Sequence, residues 1–225
     1  MELSTFTMNL LKNYSGINPN LVIREGNSIM TMSEAKNVLA QATVPETFDR
    51  EVGIYDLSEF LSVLNLFDTS HVKLDEKWMT VSDSSGRSKI KYFFSDVDIL
   101  TSPTKPIAMP STEVTFHLDQ DTLSRVKKAA SALGHDQLSI TPGEGVVTLT
   151  VVDIENVTSN TYSIDVPGEH SGDFNFILNI KNLQMIPGDY NVSISSKLIS
   201  QFTLDQEGAD MKYWVALEKN STFSS

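Results

Sequence analysis

The sequence predicts an α+β fold made of two similar halves, each with two helices packed on antiparallel sheets. Two observations carry this. A proline-rich stretch near the middle interrupts every helical and strand-like pattern, and one order of elements (helix, strands, helix, strands) runs on both sides of it. The length of 225 residues suits two domains of about 110 residues each.

The break spans 101–112, where Pro103, Pro106 and Pro110 stand among small polar residues. Proline fixes φ and removes a backbone donor, so an extended connector is expected there. Residues 1–100 then form the first domain and 113–225 the second.

In the first half, Leu3, Phe6, Leu10, Leu11 and Tyr14 follow helical spacing over 4–14, and Gly16 supplies a stop. Strands are expected at 21–24, 28–32 and 38–44, the first two joined by a turn at Glu25-Gly26-Asn27. A second helix fits 56–67, with Leu57, Phe60, Leu61, Leu64 and Phe67 on one face and Asp56 as N-cap. Strands at 71–74, 78–82 and 89–94 close the half.

The second half opens with a strand at 113–117 and a helix at 121–133, whose stripe is Leu123, Val126, Ala130 and Leu133, ended by Gly134. Strands at 138–141 and 146–152 flank the turn Pro142-Gly143-Glu144-Gly145, and a third covers 161–166. A short helix fits 180–185, stopped by Pro187-Gly188, and strands at 190–195, 200–204 and 213–218 finish the chain. The matching order suggests duplication, although two unrelated α+β domains could match this loosely.

With 40% hydrophobic and 20% charged residues, the composition is that of an ordinary globular protein. The absence of cysteine excludes disulfides, thiol catalysis and thiolate metal sites. The first residues lack a basic region followed by an apolar run, and no segment reaches the roughly 18 apolar residues of a membrane span. An intracellular chain with no membrane partner is expected.

No catalytic grouping emerges. His71, His117, His135 and His170 are scattered without metal-ligand spacing. Gly143-Glu144-Gly145 lies between two strands, whereas a dinucleotide fingerprint opens a helix. The acidic pairs Asp96/Asp98 and Asp119/Asp121 sit at element ends, where carboxylates cap. The expectation is a protein that is not an enzyme, with no cofactor and no metal.

A net charge of −12 argues against an open DNA-binding surface, so placement of the few cations matters. Residues 1–110 hold 10 Lys/Arg against 14 Asp/Glu, and 111–225 hold 7 against 15. Arg125, Lys127 and Lys128 lie on the polar side of one helix, Lys181 on another, and Lys12 on the first. Such helices could line a surface facing a polyanion, through contacts blind to sequence. The alternative is a few solvated lysines on amphipathic helices. The 56–67 helix has Asp56 and Glu59 but no Lys or Arg.

Six stretches run in order over nearly the whole chain: 9–14 (NLLKNY), 54–61 (IYDLSEFL), 104–107 (TKPI), 174–179 (FNFILN), 185–190 (MIPGDY) and 213–218 (YWVALE). In these the chain resembles the sliding clamps of T-even-type bacteriophages, which are DNA polymerase processivity factors. The resemblance implies two clamp-type domains per subunit, a homotrimer closing into a ring, helices lining the hole and sheets forming the wall. It implies double-stranded DNA held by topology, with Lys12, Arg125, Lys127, Lys128 and Lys181 facing it. It also implies the replicative DNA polymerase and a clamp loader complex as partners, with transcription factors as further candidates, in the cytoplasm of an infected host cell. An apolar groove for partner peptides would involve Leu100, Ile107 and Met109, with Trp214, Val215 and Leu217 nearby. The competing reading is a structural β-rich virion or assembly protein with no DNA-tethering role.

Overall fold

A computed structural model describes residues 1–68, 70–104 and 107–225; Lys105 and Pro106 of the expected connector lie outside the described residues. The chain divides into two compact units, residues 1–105 and 106–225.

The first unit runs α1 (Thr5–Ser15), β1 (Leu21–Ile23), β2 (Gly26–Met32), β3 (Val38–Phe48), β4 (Val52–Ile54), α2 (Leu57–Leu64), β5 (His71–Leu74), β6 (Trp78–Ser82) and β7 (Lys89–Phe93). A single 3-10 turn, Val97–Ile99, follows. Its strands form two antiparallel sheets, β3-β2-β1-β4 and β5-β6-β7.

Capping explains both helix starts. The Ser4 hydroxyl accepts from the Thr7 amide at 3.2 Å, and Asp56 accepts from Ser58 and Glu59 at 2.9 and 3.0 Å. Leu10, Leu11 and Tyr14 of α1 and Leu57, Phe60, Leu61 and Leu64 of α2 are buried, and the two helices pack together. The second helix ends at Leu64 rather than reaching Phe67. Glu46 ties α1 to β3 by accepting from the Ser4 amide and the Thr7 hydroxyl. Partial burial pushes the Glu46 carboxyl up, but the hydrogen bonds from Thr7 and Ser4 together outweigh it and hold the group below the usual carboxylate range.

Strand β3 outruns its expected end. Pro45 cannot donate to a ladder, yet the strand continues past it because the β2–β3 register shifts between Gly26 and Ser28. Strand β4 lies outside the strands expected from the pattern. Its Gly53 carbonyl accepts from the Ser95 amide at 2.9 Å, and a Cβ on Gly53 would meet the Ser95 carbonyl at 2.4 Å. Only glycine allows that approach.

The second unit runs β8 (Val114–Leu118), α3 (Gln120–Leu133), β9 (Gln137–Pro142), β10 (Val146–Val152), β11 (Tyr162–His170), β12 (Asp173–Asn179), β13 (Tyr190–Ser195), β14 (Ile199–Leu204), β15 (Met211–Ala216) and β16 (Thr222–Ser224). These strands lie in the order β16-β12-β9-β10-β11-β8-β13-β14-β15, all antiparallel. Helix α3 packs on β10 and β11 through Leu123, Val126 and Ala130. Gly134 ends it in the left-handed conformation, φ +71°.

The expected second helix of this half is corrected. Ile180–Asn182 forms one 3-10 turn and the chain then extends. Pro187 disfavours helical dihedrals at Ile186. The Ile186 amide also donates to the Tyr213 hydroxyl at 3.1 Å, while the Ile180 amide, which a helix starting there would leave without an internal partner, donates to the Asp136 carbonyl at 2.8 Å. A six-residue helix has too few internal hydrogen bonds to compete. Among its described residues the second unit therefore has one α-helix, where two are expected.

Candidate nucleic-acid interface

Each helix buries one stripe and turns a short polar face outward. On α1 that face is Thr5, Asn9 and Lys12, with Lys12 in the last turn, where a cation complements the helix dipole. On α2 it is Ser58, Glu59 and Ser62, without a cation. On α3, Asp121, Arg125, Lys128, Ser131 and Ala132 are exposed. At 3.6 residues per turn, Lys128 stands opposite the Leu123/Val126/Ala130 stripe, with Arg125 beside it.

Lys127 lies on the flank of α3. It borders an open cleft of about 580 Å³ that also takes in His135, Asp136, Lys181 and Gln184. Burial holds the Lys127 ammonium below the usual lysine range. The structure thus brings Lys127 and Lys181 to one cleft, although Lys181 sits on the 3-10 turn and not on a helix.

Carboxylates moderate this charge. Arg125 pairs with Asp121 at 2.7 Å across one helical turn, and Lys181 pairs with Asp136 at 2.5 Å. All four side chains are more than half exposed. Small hydroxyl and amide groups with a few half-neutralised cations suit weak contacts to phosphates and offer no base-reading set. Among the described residues, no cluster of three or more His, Asp or Glu could hold a metal.

Three of the residues expected at the peptide groove are corrected. Trp214, Val215 and Leu217 are interior residues, exposed by only 4%, 0% and 6%. They belong to β15 and its end, where the consecutive residues Tyr213, Trp214 and Val215 are buried. Ile107 is exposed, and Leu100 and Met109 are partly so. Leu100 lies close to Gly53.

One cationic surface lies outside the residues predicted to meet DNA. Lys73, Lys89 and Lys91 are exposed on β5 and β7, together with Phe93. The alternation Lys89-x-Lys91-x-Phe93 was the available signal, read only as a strand.

Comparison with known proteins places this architecture. A solved structure of proliferating cellular nuclear antigen from Entamoeba histolytica matches with a TM-score of 0.68 and 15% identity, covering 94% of each chain. A PCNA2–PCNA3 complex from Sulfolobus tokodaii matches at 0.67 and 13%, covering 94% of this chain and 95% of that one. The fold is that of proliferating cellular nuclear antigen. The family model for the DNA polymerase processivity factor matches residues 4–100, and that for the gp45 sliding clamp, C terminal, matches 115–219. The sliding clamp of Vibrio phage KVP40 is 32% identical over 226 residues, spanning 97% of this chain and 99% of its own. That of Enterobacteria phage T4 is 31% identical over 228 residues, spanning 99% of both. The chain belongs to the phage sliding-clamp family: it is a DNA polymerase processivity clamp and not an enzyme. The reading as a virion wall protein finds no support in these relatives.

Proposed function

We propose that three copies of this chain close into a ring around duplex DNA, in the cytoplasm of the infected host cell, and tether the replicative polymerase there. Residues 1–100 and 113–225 act as two clamp domains joined by the 101–112 connector, and a clamp loader opens the ring. The duplex is held by enclosure, so its contacts need only be weak. Closing a ring by edge pairing also removes open strand edges.

The observation that carries this reading is the outward face of α3, where Arg125 and Lys128 stand among serine and alanine with one balancing carboxylate. Lys12, Lys127 and Lys181 join them as phosphate contacts. Tight, numerous contacts would arrest sliding, and a face this sparse avoids that. Helix α2, lacking cations, contributes spacing and not attraction. Leu100, Ile107 and Met109 supply the accessible apolar side chains against which the polymerase or a transcription factor lays a peptide.

The test is charge reversal. Lys128→Glu with Arg125→Glu should remove loader-dependent stimulation of the polymerase at moderate salt while the trimer persists in sedimentation. Full stimulation by the double variant would contradict the assignment of α3 to the DNA.

A further inference from the structure

We propose that the outward face of the β5-β6-β7 sheet binds single-stranded nucleic acid. Register sets the face. Trp78 pairs with Phe93, Thr80 with Lys91 and Lys73, and Ser82 with Lys89 and His71, so these side chains share one side. The other side carries Val72, Met79, Val81 and Tyr92, and there Tyr92 meets Phe60 of α2 at 5.4 Å between ring centroids. The lysine-bearing face therefore points away from α2, on the opposite side of this sheet from the helix layer.

Two kinds of group converge on it. The first is aromatic: Trp78 and Phe93 lie 6.0 Å apart, and Phe93, on the edge strand β7, is 63% exposed. The second is cationic. The Lys91 ammonium sits 3.4 Å from the Trp78 ring centroid and 5.0 Å from that of Phe93, held in place by cation–π attraction. Lys89 follows two residues away on the same strand, about 7 Å along it. Neither has a carboxylate partner among the described residues, whereas Lys73 pairs with Asp75 at 3.6 Å and His71 with Glu2 at 3.2 Å.

A row of cations beside an open aromatic ring is what a single strand requires: phosphates lie along the lysines while a base stacks on Phe93. Thr80 and Ser82 between the strands add hydroxyls without sequence preference. A paired duplex cannot offer its bases to Phe93. An acidic peptide would use the lysines and leave the ring idle. The strand recognised is therefore unpaired, the form that template takes ahead of a primer end.

Titration of the full-length protein with oligothymidylate, followed by tryptophan fluorescence, tests this. Trp214 is buried, so quenching on binding reports Trp78. Two or three phosphate contacts should weaken binding about seven- to twentyfold between roughly 50 and 200 mM salt. Lys89→Ala with Lys91→Ala should abolish most of that salt dependence, and Phe93→Ala should lower affinity about fivefold or more at every salt concentration. Arg125→Ala with Lys128→Ala should leave the quenching intact. Absence of quenching, equal quenching by fully duplex DNA of the same length, or quenching by an oligoglutamate peptide alone would each overturn the proposal. Loss of quenching in the α3 variant would overturn it too, by moving the strand to the helices.

Discussion

The Asp121–Arg125 pair gives a sensitive handle on how α3 meets DNA, because removing the acid should strengthen binding. Asp121, Arg125 and Lys128 together carry a formal charge of +1 on the exposed face of the helix, and the 2.7 Å ion pair occupies Arg125. Asp121→Asn raises that charge to +2 and frees the guanidinium for a phosphate. One added phosphate contact steepens the dependence of log affinity on log salt by about 0.9, so the gain over wild type should shrink about 3.5-fold between roughly 50 and 200 mM salt. The cost in stability is small. An exposed pair at this spacing contributes about 0.3–0.5 kcal/mol, and a carboxylate in the first turn about as much again through the helix dipole. Fluorescence anisotropy of a labelled duplex at several salt concentrations reads the slope, and a thermal melt reads the cost. A loaded Asp121→Asn clamp should also diffuse more slowly along DNA. An unchanged slope, with the melt shifted as expected, would refute the placement of this face against phosphate.

Three other outcomes follow from the packing. Glu46 has a folded carboxyl value below its unfolded one, so its contribution is present above about pH 4.5 and is lost as pH falls through the folded value. Glu46→Gln should therefore cost about 1–3 kcal/mol at neutral pH and flatten the acid limb of the stability curve, as chemical denaturation at several pH values will show. Gly134→Ala forces a side chain into the left-handed conformation at the end of α3 and should lower stability by about 1 kcal/mol, checked by a thermal melt. Trp214 is buried, and its indole nitrogen has no hydrogen-bond partner among the described residues. Trp214→Phe should then change stability by about 1 kcal/mol or less and leave polymerase binding intact, whereas Trp214→Ala should cost about 3–5 kcal/mol. Loss of polymerase binding in a stably folded Trp214→Phe variant would return this residue to the partner surface.

Strongly periodic segments were legible from the residues alone. Strands β5, β6, β10 and β13 fall where alternation put them, and α1 and α3 begin where Ser4 and Asp119 cap them. Elements decided by distant partners were not. Strands β4 and β16 are three residues each, and β4 depends on the close approach of Ser95 to Gly53. The 180–185 segment has helical spacing of apolar residues, but six residues close too few internal hydrogen bonds, and just beyond it the Ile186 amide is held by the distant Tyr213 hydroxyl. The cations of α3 and Lys181 were readable as polar positions, while their neutralisation was half visible: Asp121 lies one turn from Arg125, but Asp136 meets Lys181 only in space. Trp214 shows the limit of alternation, since a strand covered on both sides buries consecutive residues that a half-exposed strand would divide.

Enclosure of DNA has a topological signature that affinity cannot mimic. The decisive measurement loads the labelled protein onto a nicked circular duplex with its loader and ATP, isolates the complex, and cuts the circle once. Retention on the intact circle at high salt, followed by rapid release from the linear form, is the outcome expected of a ring that slides. Equal retention on both forms, or equal loss from both, would contradict it.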